Sequence, residues 1–246
     1  MAIHKMIAVD GLPPNKWPVE HVADVDYDEP FVKDIMEISP VVDATSLSSE
    51  EREAVKHAIV SVVMDGLVPA FLDLRQIRMS VGKKIPIINR EEPYGNMARK
   101  LWKAYKPLTE KAALAMGFKI GFLYSNDKSF NTGLEEFRKQ NPELRGGFEK
   151  FLEHSRTSWQ NDLADFRNKW LEHPVGNRKQ FDRFYAAPYA ESLFYAVWKT
   201  IADLLPALLE LKLIHGSKLV EQHHDDPGPK WGQRFRYDHP LFRKSG

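Results

Sequence analysis

Apolar residues recur along most of this chain at helical spacing. Val55, Ala58, Ile59, Val62 and Val63 fall on one helical face. Ser48 and Glu51 stand ahead of them as a capping box, and Gly66 is expected to end that helix. Residues 67–79 predict a second, shorter helix. Residues 83–92, with Pro86 and Pro93 nearby, read as a loop. Met97, Leu101, Ala104, Leu108 and Ala112 keep the period over 96–116, where Pro107 should kink or split the helix. Residues 118–124 fit a strand or a helix. Residues 125–147 are polar, with a short helical piece at 134–138.

The most informative pattern covers 148–172. Phe148, Leu152, Trp159, Leu163, Phe166 and Trp170 form one narrow stripe, with Ser155 filling the missing turn. Pro174 disfavours helical geometry at His173, so the helix should stop there. A basic linker with Arg178, Lys179 and Arg183 leads to a last helix over 188–213. Leu193, Val197, Ile201, Leu204, Leu208 and Leu211 line it, and Pro206 should bend it. It is apolar over much of its circumference, which suits a central or interface position.

Strand-like alternation never persists over successive segments. The expected fold is therefore an all-α bundle of five to seven helices. Three parts are expected: an irregular acidic arm at 1–45, an all-helical core at 46–215 and a basic irregular tail at 216–246. The prolines at 13, 14, 18, 30 and 40 without sustained periodicity motivate the arm.

Composition narrows the function. At 246 residues with 43% apolar content, the chain can bury a core. It has no cysteine, which excludes disulfides, thiolate metal sites and cysteine nucleophiles. No run of 18 apolar residues predicts a membrane span, and the N-terminus has no signal-like apolar segment, so the expected location is the cytoplasm. The net charge of +1 hides an asymmetry. Residues 1–53 hold 12 acidic and 4 basic side chains, and 227–246 hold 5 basic and 1 acidic. A basic body suits an anionic partner, and the acidic arm could cover that body as an internal brake. Walker, dinucleotide-binding, HExxH and GxSxG motifs do not occur. The cluster Glu221 to Asp226, with His223 and His224, lies on an expected irregular tail, and His57, His154 and His215 stand alone. None of these predicts a metal site.

The end of the striped helix reads Phe166-Arg167-Asn168-Lys169-Trp170-Leu171-Glu172-His173-Pro174. An Arg, a polar residue and a His after five intervening positions fit the pattern R-X4–6-H. Arg52–His57 and Arg234–His239 fit it too. Only Arg167–His173 has an amide after the Arg, a long amphipathic helix before it and an apolar helix after it. In this it resembles the HEPN superfamily over about residues 96–213. The resemblance implies an all-α domain and a metal-independent endoribonuclease, possible in a toxin–antitoxin or phage-defence role. It further implies RNA as substrate, a homodimer that joins two motifs in one cleft, a neutralising partner protein and no cofactor.

Under that resemblance the catalytic residues are Arg167, Asn168 and His173. Imidazole exchanges protons near neutral pH, so His173 suits general acid–base work on a 2′-hydroxyl. Arg167 offers a planar fork of donors to phosphate oxygens, and Asn168 could orient either group. Lys169, Arg178, Lys179 and Arg183 would supply an RNA-phosphate track. At 100° per residue, Arg167 falls about 70° to one side of the stripe and His173 about 50° to the other. Glu172 is a nearby carboxylate with which Arg167 could simply pair. Two other readings remain open. One is a non-catalytic dimerisation or interaction module that uses the apolar seam. The other is an all-α enzyme with a small-molecule pocket between helices.

Overall fold

The computed structural model describes residues 2–6, 19–24, 30–81, 87–144, 147–173, 178–214, 218–221 and 235–238. The protein is an all-α helical bundle. Its helices are α1 (Pro30–Met36), α2 (Ser39–Val42), α3 (Ser49–Ser61), α4 (Val68–Ser80) and α5 (Ile87–Lys103), followed by α6 (Thr109–Ala115), α7 (Asp127–Gln140), α8 (Phe148–Ser155), α9 (Asn161–Phe166) and α10 (Ala187–Glu210). Several of these run into one another through π turns, so that α3 continues into α4, α5 into α6, and α8 into α9. Two short antiparallel hairpins lie towards the ends of the chain. They are β1 (Ala2–Met6) with β2 (Val19–Asp24), and β3 (Lys218–Glu221) with β4 (Phe235–Asp238). Both termini were expected to be irregular, and these segments instead pair as strands.

The capping box forms as the pattern predicts. Ser48 Oγ accepts from Glu51 N–H, and the Glu51 carboxylate accepts from Ser48 N–H at 2.8 Å. Those bonds satisfy two donors that a helix start leaves open, and they hold the Glu51 carboxyl below its ordinary range. Gly66, however, does not end the helix. It sits in a π turn, Val62–Leu67, that continues into α4. A Cβ on Gly66 would stand 2.6 Å from the Ala104 Cβ and 2.9 Å from its Cα. Glycine is therefore required by the close approach of a second π turn, Ala104–Leu108. That second turn holds Pro107. The missing N–H, which would break an α-helix, is absorbed where Thr109 directs both its N–H and its hydroxyl at Ala104 O.

Other boundaries also move. Residues 87–92, expected as loop, are helical, and Pro93 lies inside α5. The polar stretch after 125 forms the full helix α7, capped by Asn126 and buried through Phe130, Leu134 and Phe137. A Cβ on Gly133 of α7 would meet the Phe122 Cβ at 2.3 Å, which fixes glycine where α7 crosses the 3-10 turn Gly121–Tyr124. The expected basic linker is a 3-10 segment, Arg178–Tyr185, anchored by buried Phe181 and Phe184.

The apolar helix α10 is central. Leu193, Val197, Ile201, Leu204, Leu205 and Leu208 are all buried. Phe194 of α10 meets Phe31 of α1 and Phe71 of α4, with ring centroids 5.2 and 5.7 Å away. This corrects the arm boundary at 45. Phe31, Val32, Ile35, Ile38 and Val42 are core residues, so the helical body begins at α1. The proline pattern misleads there, because Pro30 and Pro40 sit in first turns, where no N–H is needed. Among the described residues two helices, Ser49–Ser80 and Ala187–Glu210, are long and apolar enough to cross a membrane, although no run of 18 apolar residues exists. In the bundle 61% and 67% of their apolar windows are buried against other helices.

Candidate functional site

The helix carrying the Arg–His motif is built in four pieces. Helix α8 passes through a π turn, Arg156–Gln160, into α9, and α9 passes through another, Arg167–Glu172. Its stripe is buried within the chain: Phe148, Leu152, Trp159, Leu163 and Phe166 are core residues. Phe166 stacks on Phe184 with centroids 4.1 Å apart. Trp170 is half-buried and donates from its indole N–H to the Tyr185 hydroxyl at 2.7 Å. The apolar seam is thus covered by the 3-10 segment and α10.

The second π turn spans the motif up to Glu172, and the helix stops at His173 with extended backbone, as Pro174 dictates. The angular placement of Arg167 and His173 deduced from 100° per residue therefore does not apply, since an i→i+5 turn advances less per residue. His173 is exposed. Arg167 is half-buried and held on three sides. Its Nη2 donates to Asn168 Oδ1 at 2.7 Å. Glu172 Oε1 lies 3.0 Å from Nε, close in charge but not aligned as a hydrogen bond. The guanidinium covers the Trp102 ring at 5.0 Å from its centroid. Trp102 comes from α5, whose Arg99 donates to Leu171 O at 3.2 Å and so ties α5 to the motif turn.

The other predicted site residues divide. Lys169 is exposed and paired with Asp165 at 2.7 Å. Arg183 is paired with Asp162 at 2.7 Å and lies over the Tyr189 ring. Arg178 and Lys179 fall in the 3-10 segment, with Lys179 exposed. Carboxylates thus accompany Lys169 and Arg183. Among the described residues no group of His and carboxylates has metal-binding geometry. His223, His224 and His215, and the Arg234–His239 match, lie outside the described residues. His57 and His154 are exposed on helices.

Beside the motif lies an open cleft of about 520 Å³. Trp102, Tyr124, Asp127, Arg156, Asp165 and Asn168 are among its walls. Asn168 and Trp102 therefore join Arg167 to the cleft. The floor is a polar network, buried except at the exposed Asp127 carboxylate, that the sequence pattern did not reveal. Arg156, with 8% of its side chain exposed, donates from Nε and Nη2 to Asp127 Oδ1 at 3.0 and 2.8 Å, and from Nη2 to Ser125 O at 2.6 Å. Gln160 accepts from the Tyr105 hydroxyl at 2.9 Å and donates to Leu123 O. Tyr124 donates to Tyr105 O at 2.9 Å. Burial pushes both phenols well above the ordinary tyrosine range, so they stay neutral donors. The one available signal was the gap in the stripe at Ser155 and Arg156, where polar residues replace a turn of core.

Compared with family models, with curated proteins and with solved structures, the chain matches none.

Proposed function

We propose that the protein is a metal-independent endoribonuclease acting in the cytoplasm through Arg167, Asn168 and His173, in a toxin or defence role with a neutralising partner. One observation carries this reading. An arginine and its neighbouring amide are bonded together beside an open polar cleft, and an exposed histidine closes the same turn. The Arg167 guanidinium is oriented by Asn168 and Trp102 before any substrate arrives. Its Glu172 contact is unaligned, so a phosphate oxygen can replace it.

In the proposed reaction the 2′-oxygen attacks phosphorus while His173 takes its proton. The O2′–P bond forms as P–O5′ breaks, leaving a 2′,3′-cyclic phosphate. The departing 5′-oxygen takes a proton from a second copy's histidine or from water. Arg167 holds the extra negative charge on the phosphorane oxygens. The apolar seam is covered within the chain, so a homodimer would pair the polar faces around Asn168 and His173. The same burial weighs against an interaction module built on that seam. The cleft adjoins the motif and does not lie apart from it, which favours one RNA site over a separate small-molecule pocket.

The test is cleavage of mixed cellular RNA in EDTA by wild type, Arg167→Ala and His173→Ala. Cleavage by wild type with loss in both folded variants supports the reading. Equal activity in His173→Ala would sink it.

A further inference from the structure

The cations around the motif turn are of two kinds. Lys169 and Arg183 each stand on a carboxylate, Asp165 and Asp162. Lys100 of α5 is held by the buried Asp73. The neighbouring face of α5 is different. Arg99 and Lys103 lie four residues apart on it, and Lys106 follows three residues later, in the π turn that continues the helix. Positions so spaced share one helical face. Arg99 and Lys103 are exposed and Lys106 is half-buried. None of the three pairs with a carboxylate among the described residues. That includes Glu110, although it stands only four residues after Lys106.

This row runs along the candidate site. At one end Arg99 donates to Asn96 Oδ1 and to Leu171 O, so both its partners are neutral and one belongs to the motif turn. In the middle, Trp102, next to Lys103, carries the Arg167 guanidinium on its ring. At the other end Lys106 Nζ lies 5.8 Å from the centroid of the Tyr124 ring, which lines the cleft. At the helical rise per residue the row is roughly 10 Å long. Like charges four residues apart on a helix repel, so the row opposes the helix that carries it. A chain of phosphates supplies the missing negative charge. Within the cleft itself the exposed Asp127 and Asp165 disfavour an anion, which leaves the α5 edge as its path.

We infer that Arg99, Lys103 and Lys106 form the phosphate track for a single strand of RNA, which leads along α5 to the phosphate held by Arg167. A row one side chain wide follows one strand and not two. The sequence pattern put the track on Lys169, Arg178, Lys179 and Arg183. The ion pairs of Lys169 and Arg183 move it to α5, where the charge is not neutralised within the chain. The inference rests on the nuclease reading for the role of Arg167, and its test does not depend on cleavage.

The experiment follows binding of the full chain, in EDTA, to a labelled 2′-O-methyl uridine oligomer of about ten nucleotides, a usual single-strand site size. Fluorescence anisotropy reads the affinity at several salt concentrations. The methylated 2′-oxygens prevent cleavage. Each phosphate neutralised on a single strand contributes about −0.7 to the slope of log K against log salt. Arg99→Gln, Lys103→Gln and Lys106→Gln together should make the slope shallower by about 2 and weaken binding about hundredfold at about 0.1 M salt. Lys103→Gln with Lys106→Gln leaves the Arg99 bond to Leu171 in place and should remove about 1.4 of the slope. Lys169→Gln with Arg183→Gln should change it by less than about 0.5. No measurable binding by wild type, an unchanged slope in the α5 double variant, or an equal loss in the Lys169–Arg183 variant would overturn the track. Row-dependent binding to phosphatidylserine vesicles without binding to the oligomer would overturn it in favour of a membrane. Binding through the row without cleavage of RNA would keep the track and remove the nuclease. Cleavage of RNA, with an α5 double variant that binds the oligomer like wild type, would do the reverse.

Discussion

One long helix contains two π turns with opposite characters. The first, Arg156–Gln160, buries Arg156, Trp159 and Gln160, and its arginine is bonded to a carboxylate and to the carbonyl of Ser125. The second, Arg167–Glu172, has no buried residue, and its arginine rests on an indole face with an amide and an unaligned carboxylate beside it. The same backbone distortion therefore serves two ends. In the first it lets a charged side chain complete the bonding of neighbouring loops. In the second it presents a charge whose bonding is incomplete. The lesson is that a π turn does not itself mark function, and that the state of its polar groups does.

The sharpest way to break this comparison is to remove each arginine. Arg167→Ala should reduce RNA cleavage by about 10²–10⁴-fold, the range for losing a charge-stabilising or acid–base group. Its unfolding free energy should shift by no more than about 1 kcal/mol, because the pair with Glu172 is partly solvent-screened and unaligned. Arg156→Ala should do the converse. Leaving the Ser125 carbonyl and the Asp127 carboxylate without their buried cation should cost about 2–4 kcal/mol in urea unfolding. If Arg167→Ala unfolds the protein as readily as Arg156→Ala, the contrast is lost.

A third π turn sharpens the point from the packing side. Gly66→Ala would force a methyl into the Ala104 backbone, and should cost about 1–3 kcal/mol in the same measurement. That expectation holds only if the Val62–Leu67 turn is as rigid as its burial implies.

The smallest effect comes from a buried carboxylate elsewhere. Asp73 of α4 is 6% exposed and pairs with Lys100 at 2.7 Å. Burial raises its pKa above the ordinary 3.8, with Lys100 pulling the other way and Glu92 adding to the rise. A raised acid favours folding below 3.8, and that contribution is lost as pH climbs through the folded value. The stability of wild type relative to Asp73→Asn should therefore fall as pH rises from just under 3.8 towards neutrality. A relative stability that rose with pH would show that Lys100 outweighs desolvation.

Much of the bundle was legible because apolar spacing directly reports which face is buried. Val55 to Val63, the stripe from Phe148 to Phe166 and the run from Leu193 to Leu208 are all core. The π turns were not legible, because they depend on contacts between distant segments, such as Gly66 against Ala104. Helix α7 was hidden by its polar outer face, and only Phe130, Leu134 and Phe137 hold it to the core. The motif itself was visible as residues, and the Glu172 contact with Arg167 was foreseeable from spacing. The cleft was not. Its walls come from α5, α7, the 3-10 turn and α9, and nothing in the sequence places Trp102 beside Arg167.

Each π turn holds one residue more than an α-helix needs to make the same turn. Among the described residues there are four of them: Val62–Leu67, Ala104–Leu108, Arg156–Gln160 and Arg167–Glu172. A single-residue deletion elsewhere in a helix rotates everything downstream by about 100° and drives core side chains into solvent. A deletion inside one of the first three segments, each of which runs into an α-helix, can instead restore α geometry and leave the following helix in phase. They are the places where this chain has slack in its length. Homologous chains one residue shorter should carry the gap there, and a deletion scan of the four segments would find the tolerated positions.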